Sequence, residues 1–116
     1  MPVIATIEKL PEDTAVVTLS GSLTLGTSLK VANSQIDGVI AEGVTKMVID
    51  LTEVDYVDSA GLGMLVYTFG GLSKVGGLLR LCGVGPRVQS LLELTKTNSV
   101  LAVDQTRAES LAALAK

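Results

Sequence analysis

From Val44 to Leu114 the chain alternates short aliphatic runs with stretches of helical period, and no other feature restricts the fold as strongly. Val44–Leu51, Leu78–Val84 and Ser99–Val103 read as strands. Between and after them, helices are expected over roughly Ser59 to Val75, Arg87 to Lys96 and Thr106 to Leu114. Strand–helix alternation of this kind argues for a mostly parallel sheet joined by right-handed crossovers. Upstream, Val3–Glu8 alternates Val3, Ala5 and Ile7, Pro11-Glu12-Asp13 supplies turn chemistry, and Ala15–Ser20 is a β-branched second strand. Their connection is too short for anything but an antiparallel hairpin, so one antiparallel edge strand is expected. Gly21 to Gly26, GSLTLG, reads as an uncharged loop. Thr27 or Ser28 then caps a helix with Leu29, Ala32, Ile36, Val39 and Ile40 on one face, stopped by Gly43. The order β-β-α-β-α-β-α-β-α predicts a single α/β domain over residues 1–116. Its sheet is small, mixed and mostly parallel, and about four helices flank it.

Composition fits that architecture. Apolar residues make up 47% of the chain, but the only aromatics are Tyr56, Tyr67 and Phe69. The core must therefore be aliphatic, the palette of strands covered by helices on both faces, and the same composition excludes disorder. Net charge is −3 and the cations are scattered singly, so no basic patch exists to neutralise phosphates and direct nucleic-acid binding is not expected. Cys82, the one cysteine, sits within an apolar run and reads as a core residue; disulfide scaffolds and cysteine zinc clusters are excluded. Residues 1–13 lack a basic start, and the uncharged stretches Thr14–Leu29 and Ser59–Ser73 are too short and polar to span a bilayer. No membrane association is expected, and the chain reads as cytoplasmic.

The chemistry available is narrow. With no histidine there is no Ser-His-Asp triad and no imidazole metal site. Glu53, Asp55 and Asp58 lie within six positions, where a solvated acidic turn with one capping residue is the ordinary reading. Gly61 and Gly63 lack the third glycine of a dinucleotide fingerprint, and Gly83-Val84-Gly85 is followed by Pro86 rather than a phosphate-loop Lys. No enzymatic activity, cofactor or metal is expected. Attention falls instead on Asp58-Ser59 at a predicted helix start. Either Ser59 caps the helix, or Asp58 does and leaves the Ser59 hydroxyl outward; two capping residues in tandem favour the second arrangement. Glycine costs a helix about 1 kcal/mol against alanine. Gly61 and Gly63 therefore imply either close packing on the sheet or a flat patch that lets another protein approach. The expected core stripe is Leu62, Leu65, Val66, Phe69 and Leu72, with Met64, Tyr67 and Thr68 nearer the outer face.

The segments VDSAGLGMLV, MVIDLTEVDYV and LLRLCGVGPRVQSLLELT resemble the STAS domain of bacterial anti-sigma factor antagonists, and the resemblance extends over essentially the whole chain. It implies a partner switch. The unmodified protein would bind an anti-sigma factor that is also a serine kinase, thereby freeing a sigma factor. The kinase would phosphorylate the serine after Asp, which is Ser59 here, and a phosphatase would reset it. Asp58 would orient the helix start, Gly61 would admit the partner, and Leu62 and Met64 with Ser22 and Thr24 would form the contact patch. The family often carries Gly-Glu-φ-Asp at the end of its second strand; Gly21-Ser22-Leu23-Thr24 replaces both acids. The rival expectation is a STAS subunit docked permanently in a signalling or transport assembly.

Overall fold

The computed structural model describes residues 1–115. Strand β1 (Ile4–Leu10) and β2 (Thr14–Leu23) form the hairpin, followed by α1 (Thr27–Ala41), β3 (Lys46–Val57), α2 (Ser59–Lys74), β4 (Leu78–Cys82), α3 (Pro86–Leu94), β5 (Ala102–Asp104) and α4 (Arg107–Leu114). Glu12 and Asp13 adopt left-handed φ values of 65° and 56°, the backbone that a tight hairpin demands. The sheet order is β1-β2-β3-β4-β5, with β1 antiparallel to β2 and every other pair parallel.

Strand order decides where the helices go. Each crossover steps one strand further in the same direction, and right-handed crossovers that advance one way deposit their helices on one face. Thus α1, α2 and α3 all feed the larger core: Leu29, Ala32 and Ile36, then Leu62, Leu65 and Leu72, then Val88 and Leu92. These close on Ala15, Val17, Leu19, Met47, Ile49, Leu51, Leu79 and Leu81. The expectation of helices on both faces holds only through α4, which follows the last strand and is free to fold back over the other side. There Leu114 covers Val16, Val48 and Cys82, with Leu10 and Leu111 partly buried beside them.

So small an apolar contact is supplemented by polar anchors. Arg107, the first residue of α4, donates to Asp50 Oδ2 at 2.9 and 3.3 Å and to Thr18 Oγ1 at 2.9 Å. Asp50 is 8% exposed, and its other oxygen accepts from the Thr52 amide and hydroxyl at 3.0 and 2.6 Å. Burial pushes the Asp50 pKa up, but the Thr52 hydrogen bonds and Arg107 outweigh it and hold the carboxyl below its ordinary range. Arg80 forks onto Asp104 at 2.8 and 2.9 Å, and Ser110 of α4 donates to Asp104 at 2.8 Å. Thr106 and Glu109 close a capping box at the start of α4. Burial, with Asp50 nearby, pushes the Cys82 thiol up to about 11.

The third strand is longer than its sequence pattern suggests. The stretch expected to be an acidic turn after Leu51 continues in the sheet to Val57. Between Thr18↔Asp50 and Ser20↔Glu53, and again between Gly21↔Val54 and Ser22↔Tyr56, β3 carries one residue more than β2. Two such bulges break the two-residue alternation that marks a strand. The second strand likewise continues through Gly21 to Leu23. Gly21 has φ 98° and lies against the Pro2 carbonyl, so a side chain there would collide with the amino-terminal segment. Ser99 belongs to a 3-10 turn, Thr97–Ser99, and the last strand begins only at Ala102.

Replacing Arg107 with Ala leaves Asp50 buried beside an unfilled position. A loss of about 2 kcal/mol in urea-unfolding free energy is expected, in line with deletion of a hydrogen-bonded charge partner.

Candidate functional site

Because β2 and β3 run parallel and end side by side at Leu23↔Val57, the segments that leave them emerge together. The Asp58 amide donates to Leu23 O at 3.1 Å and ties the two exits. Asp58 itself is extended and caps α2: its Oδ1 accepts from the Gly61 amide at 2.9 Å. Its Oδ2 accepts from the Leu25 amide in the β2–α1 loop at 3.0 Å. The Leu25 N–H and then the Gly61 N–H, against a smaller desolvation effect, hold the Asp58 carboxyl below its ordinary range. One carboxylate therefore staples the loop to the helix start. The cap belongs to Asp58, and Ser59 sits exposed at the first helical position.

Other expected residues fall differently. Gly61 is buried, and a Cβ there would collide with Leu23 O and press on the Leu23 side chain. Its role is close packing of α2 on the end of β2, so the expectation that it opens a path for a partner is corrected. Gly63, by contrast, is exposed with open space around it. Leu62 and Met64 are 8% and 6% exposed. Both belong to the core, which corrects their expected place in a contact patch; Met64 turns toward α1 and, with Leu29, Lys30, Asn33 and Tyr67, lines a cavity of about 190 Å³. Thr68 is fully buried, whereas Val66 reaches solvent and Phe69 is half-buried. The inward stripe is Gly61, Leu65, Thr68 and Leu72, a helical spacing that small and polar residues conceal when apolarity alone is counted.

Ser22 and Thr24 are half-buried at the same end of the sheet. The Ser22 hydroxyl donates to Asp55 Oδ1 at 2.8 Å, so a carboxylate from β3 stands beside the uncharged end of β2. Leu25 is 77% exposed and Tyr56 45% exposed, with the Arg87 guanidinium 5.9 Å from the Tyr56 ring centroid. The sequence offers no reading of Leu25 or Tyr56 at this site, and it gives Asp55 only as part of a solvated acidic turn. Alternation alone would put Leu25 on the buried side with Leu23; Leu25 is exposed because β2 ends at Leu23 and the chain turns there into the loop before α1. Among the described residues no group of His, Cys, Asp and Glu side chains converges as a metal site, and no helix is long and apolar enough to cross a membrane.

Two pairs of measurements check this geometry. Gly61→Ala is expected to destabilise by about 1–3 kcal/mol through overpacking, whereas Gly63→Ala, in an open helical position, stabilises by about 0.5–1 kcal/mol; chemical denaturation reads both. Carboxyls held below their ordinary pKa stabilise the fold above the unfolded-state value, about 3.9, and lose that contribution as pH falls through the lowered folded value. The melting temperature should therefore stay level above about pH 5 and fall below about pH 4. Asp58→Asn should melt lower at neutral pH and lose less on acidification.

With the geometry in place, comparison with known proteins gives a consistent answer. Residues 5–110 match the family model of the STAS domain. An anti-sigma-B factor antagonist of Listeria monocytogenes is 36% identical over 70 residues, a stretch covering 60% of each chain. Among solved structures, an anti-sigma factor antagonist from Mycobacterium paratuberculosis superposes with a TM-score of 0.84 at 24% identity, covering 98% of this chain and 95% of that one. SpoIIAA, the Bacillus cell fate determinant, matches in its unphosphorylated form with a TM-score of 0.80 at 20% identity over 93% of both chains. Its phosphorylated form matches at 0.75 and 19%, over 94% and 97%. At these identities the structures establish the fold. The chain belongs to the STAS domain family.

Proposed function

We propose that this STAS domain is an anti-sigma factor antagonist. Its unmodified Ser59 surface binds an anti-sigma factor that is also a serine kinase, and phosphorylation of Ser59 ends the association. The observation that carries this reading is the division of labour at the start of α2: Asp58 makes the cap, and the neighbouring Ser59 is exposed and not needed for it. A phosphate there leaves the capping hydrogen bond in place. It adds about −1.5 to −2 charges, which the helix N-terminus offsets by roughly 0.3–1 kcal/mol. The fold tolerates the modification.

A partner covering the same surface meets the opposite balance. It must desolvate a dianion, at several kcal/mol unless it supplies cations of its own. A loss of about 2.8 kcal/mol is already a hundredfold in affinity. Modification thus releases the partner without unfolding the module, and a phosphatase returns the system to its start. Such a role is regulatory rather than catalytic and belongs in the bacterial cytoplasm, where sigma factors act. The Listeria relative carries the corresponding name, and SpoIIAA exists in phosphorylated and unphosphorylated forms, which supports the same reading.

Incubation with the cognate anti-sigma factor kinase and ATP is expected to add one phosphate, seen as a single mass increment. Ser59→Ala should take none, and Ser59→Asp should bind the kinase at least tenfold more weakly than wild type. Equal labelling of Ser59→Ala refutes the assignment. A stable multimer in size-exclusion chromatography, unchanged by Ser59→Asp, would point instead to a permanently docked subunit.

A further inference from the structure

Leu25 is among the most exposed large apolar side chains of the chain, at 77%, and a single exposed leucine is in itself ordinary. Its setting is not. Two residues earlier Leu23 is wholly buried, and its carbonyl accepts from the Asp58 amide at 3.1 Å. The Leu25 amide is held by Asp58 Oδ2 at 3.0 Å. One residue later Gly26 caps α1, its carbonyl accepting from the Lys30 amide at 3.3 Å. The three-residue tip is tied before, at and after Leu25, so the side chain is presented from an ordered backbone. A contact made by a pre-ordered group avoids much of the entropy that a mobile loop would lose on binding.

We propose that Leu25 is the apolar anchor of the Ser59 contact surface, and that its occupant is a folded protein offering an apolar pocket rimmed by Lys or Arg. This rests on the partner-binding reading above and specifies the partner's surface. Exposed Glu53 and Asp55 stand at the same end of the sheet, and Asp58 lies directly behind the tip, so a basic rim is the complementary one. A second copy of this chain is the poorer occupant, because a two-fold contact would set these acids against themselves. The same carboxylate that holds Leu25 belongs to the residue before Ser59. A partner seated on Leu25 therefore covers the Ser59 hydroxyl with the apolar part of its surface, while its basic rim lies over Glu53 and Asp55; a phosphate on Ser59 is then desolvated with no cation beside it.

The test uses the kinase of the preceding experiment with ADP in place of ATP, and calorimetric titration of the full chain. Leu25→Ser should weaken binding at least about 30-fold, the scale of a hot-spot residue. Leu25→Met should stay within about threefold, since methionine adapts to an apolar pocket. Leu94→Ser, 82% exposed near the end of α3, is the control and should bind like wild type. All three should melt within a degree or two of wild type. In the protein alone, the Leu25 amide should exchange slowly by NMR and at least tenfold faster in Asp58→Asn. Leu25→Ser binding like wild type, equal weakening by Leu94→Ser, or a freely exchanging Leu25 amide in wild type overturns the anchor while leaving the partner reading intact. Wild type that binds no such kinase overturns the partner reading and the anchor together. A concentration-dependent dimer abolished by Leu25→Ser assigns the tip to self-association and overturns the proposal.

Discussion

The parallel ladder between β2 and β3 is the constraint from which the rest follows. Parallel strands deliver their exits to the same edge, so the chain's two most consequential segments, the β2–α1 tip and the start of α2, must be neighbours. Once there, one carboxylate serves both. Asp58 satisfies the Gly61 amide of the helix and the Leu25 amide of the tip, and its own amide closes on Leu23. That economy places a hydroxyl, an apolar side chain and several acids together on a stiff scaffold.

The two faces of the sheet are held by different physics. On the α1–α3 face, aliphatic side chains interdigitate and the stabilisation is hydrophobic. On the α4 face only a small apolar cluster forms, and the helix is positioned by Arg107 on Asp50 and Thr18 and by Ser110 on Asp104. Directional bonds place a short helix accurately where packing alone would let it slide. They also make that face the one most sensitive to loss of a single charged group.

Much of this was legible in the sequence. The hairpin, the alternation after Val44 and the tandem Asp58-Ser59 at a helix start each had a local signal, and each element stands where that signal put it, give or take a turn. The extension of β3 to Val57 did not show, because the two bulges shift the alternation out of phase and leave Thr52–Tyr56 looking like an acidic turn. The orientation of α2 did not show either. Gly61 and Thr68 lie on its inner face for steric reasons that apolarity does not record, so Met64 was placed outside and Val66 inside. Asp55 against Ser22 is a product of the bulge and had no sequence signal at all. Nor can strand order be read from alternation, which is why three helices on one face and one on the other came only with the structure.

The amino-terminal residues have a practical bearing on how the molecule is handled. Ser22 donates its amide to the Met1 carbonyl at 3.1 Å, and the Val3 amide reaches the Ser28 hydroxyl at 3.2 Å. Any purification handle or fluorescent fusion placed ahead of Met1 would thus emerge beside the Ser22 edge and shade the Leu25–Ser59 surface. Helix α4, by contrast, starts near Asp50 and ends over Leu10, Thr14 and Lys46, at the far end of the sheet. A carboxy-terminal attachment leaves from there, and assays of association should carry their label on that side.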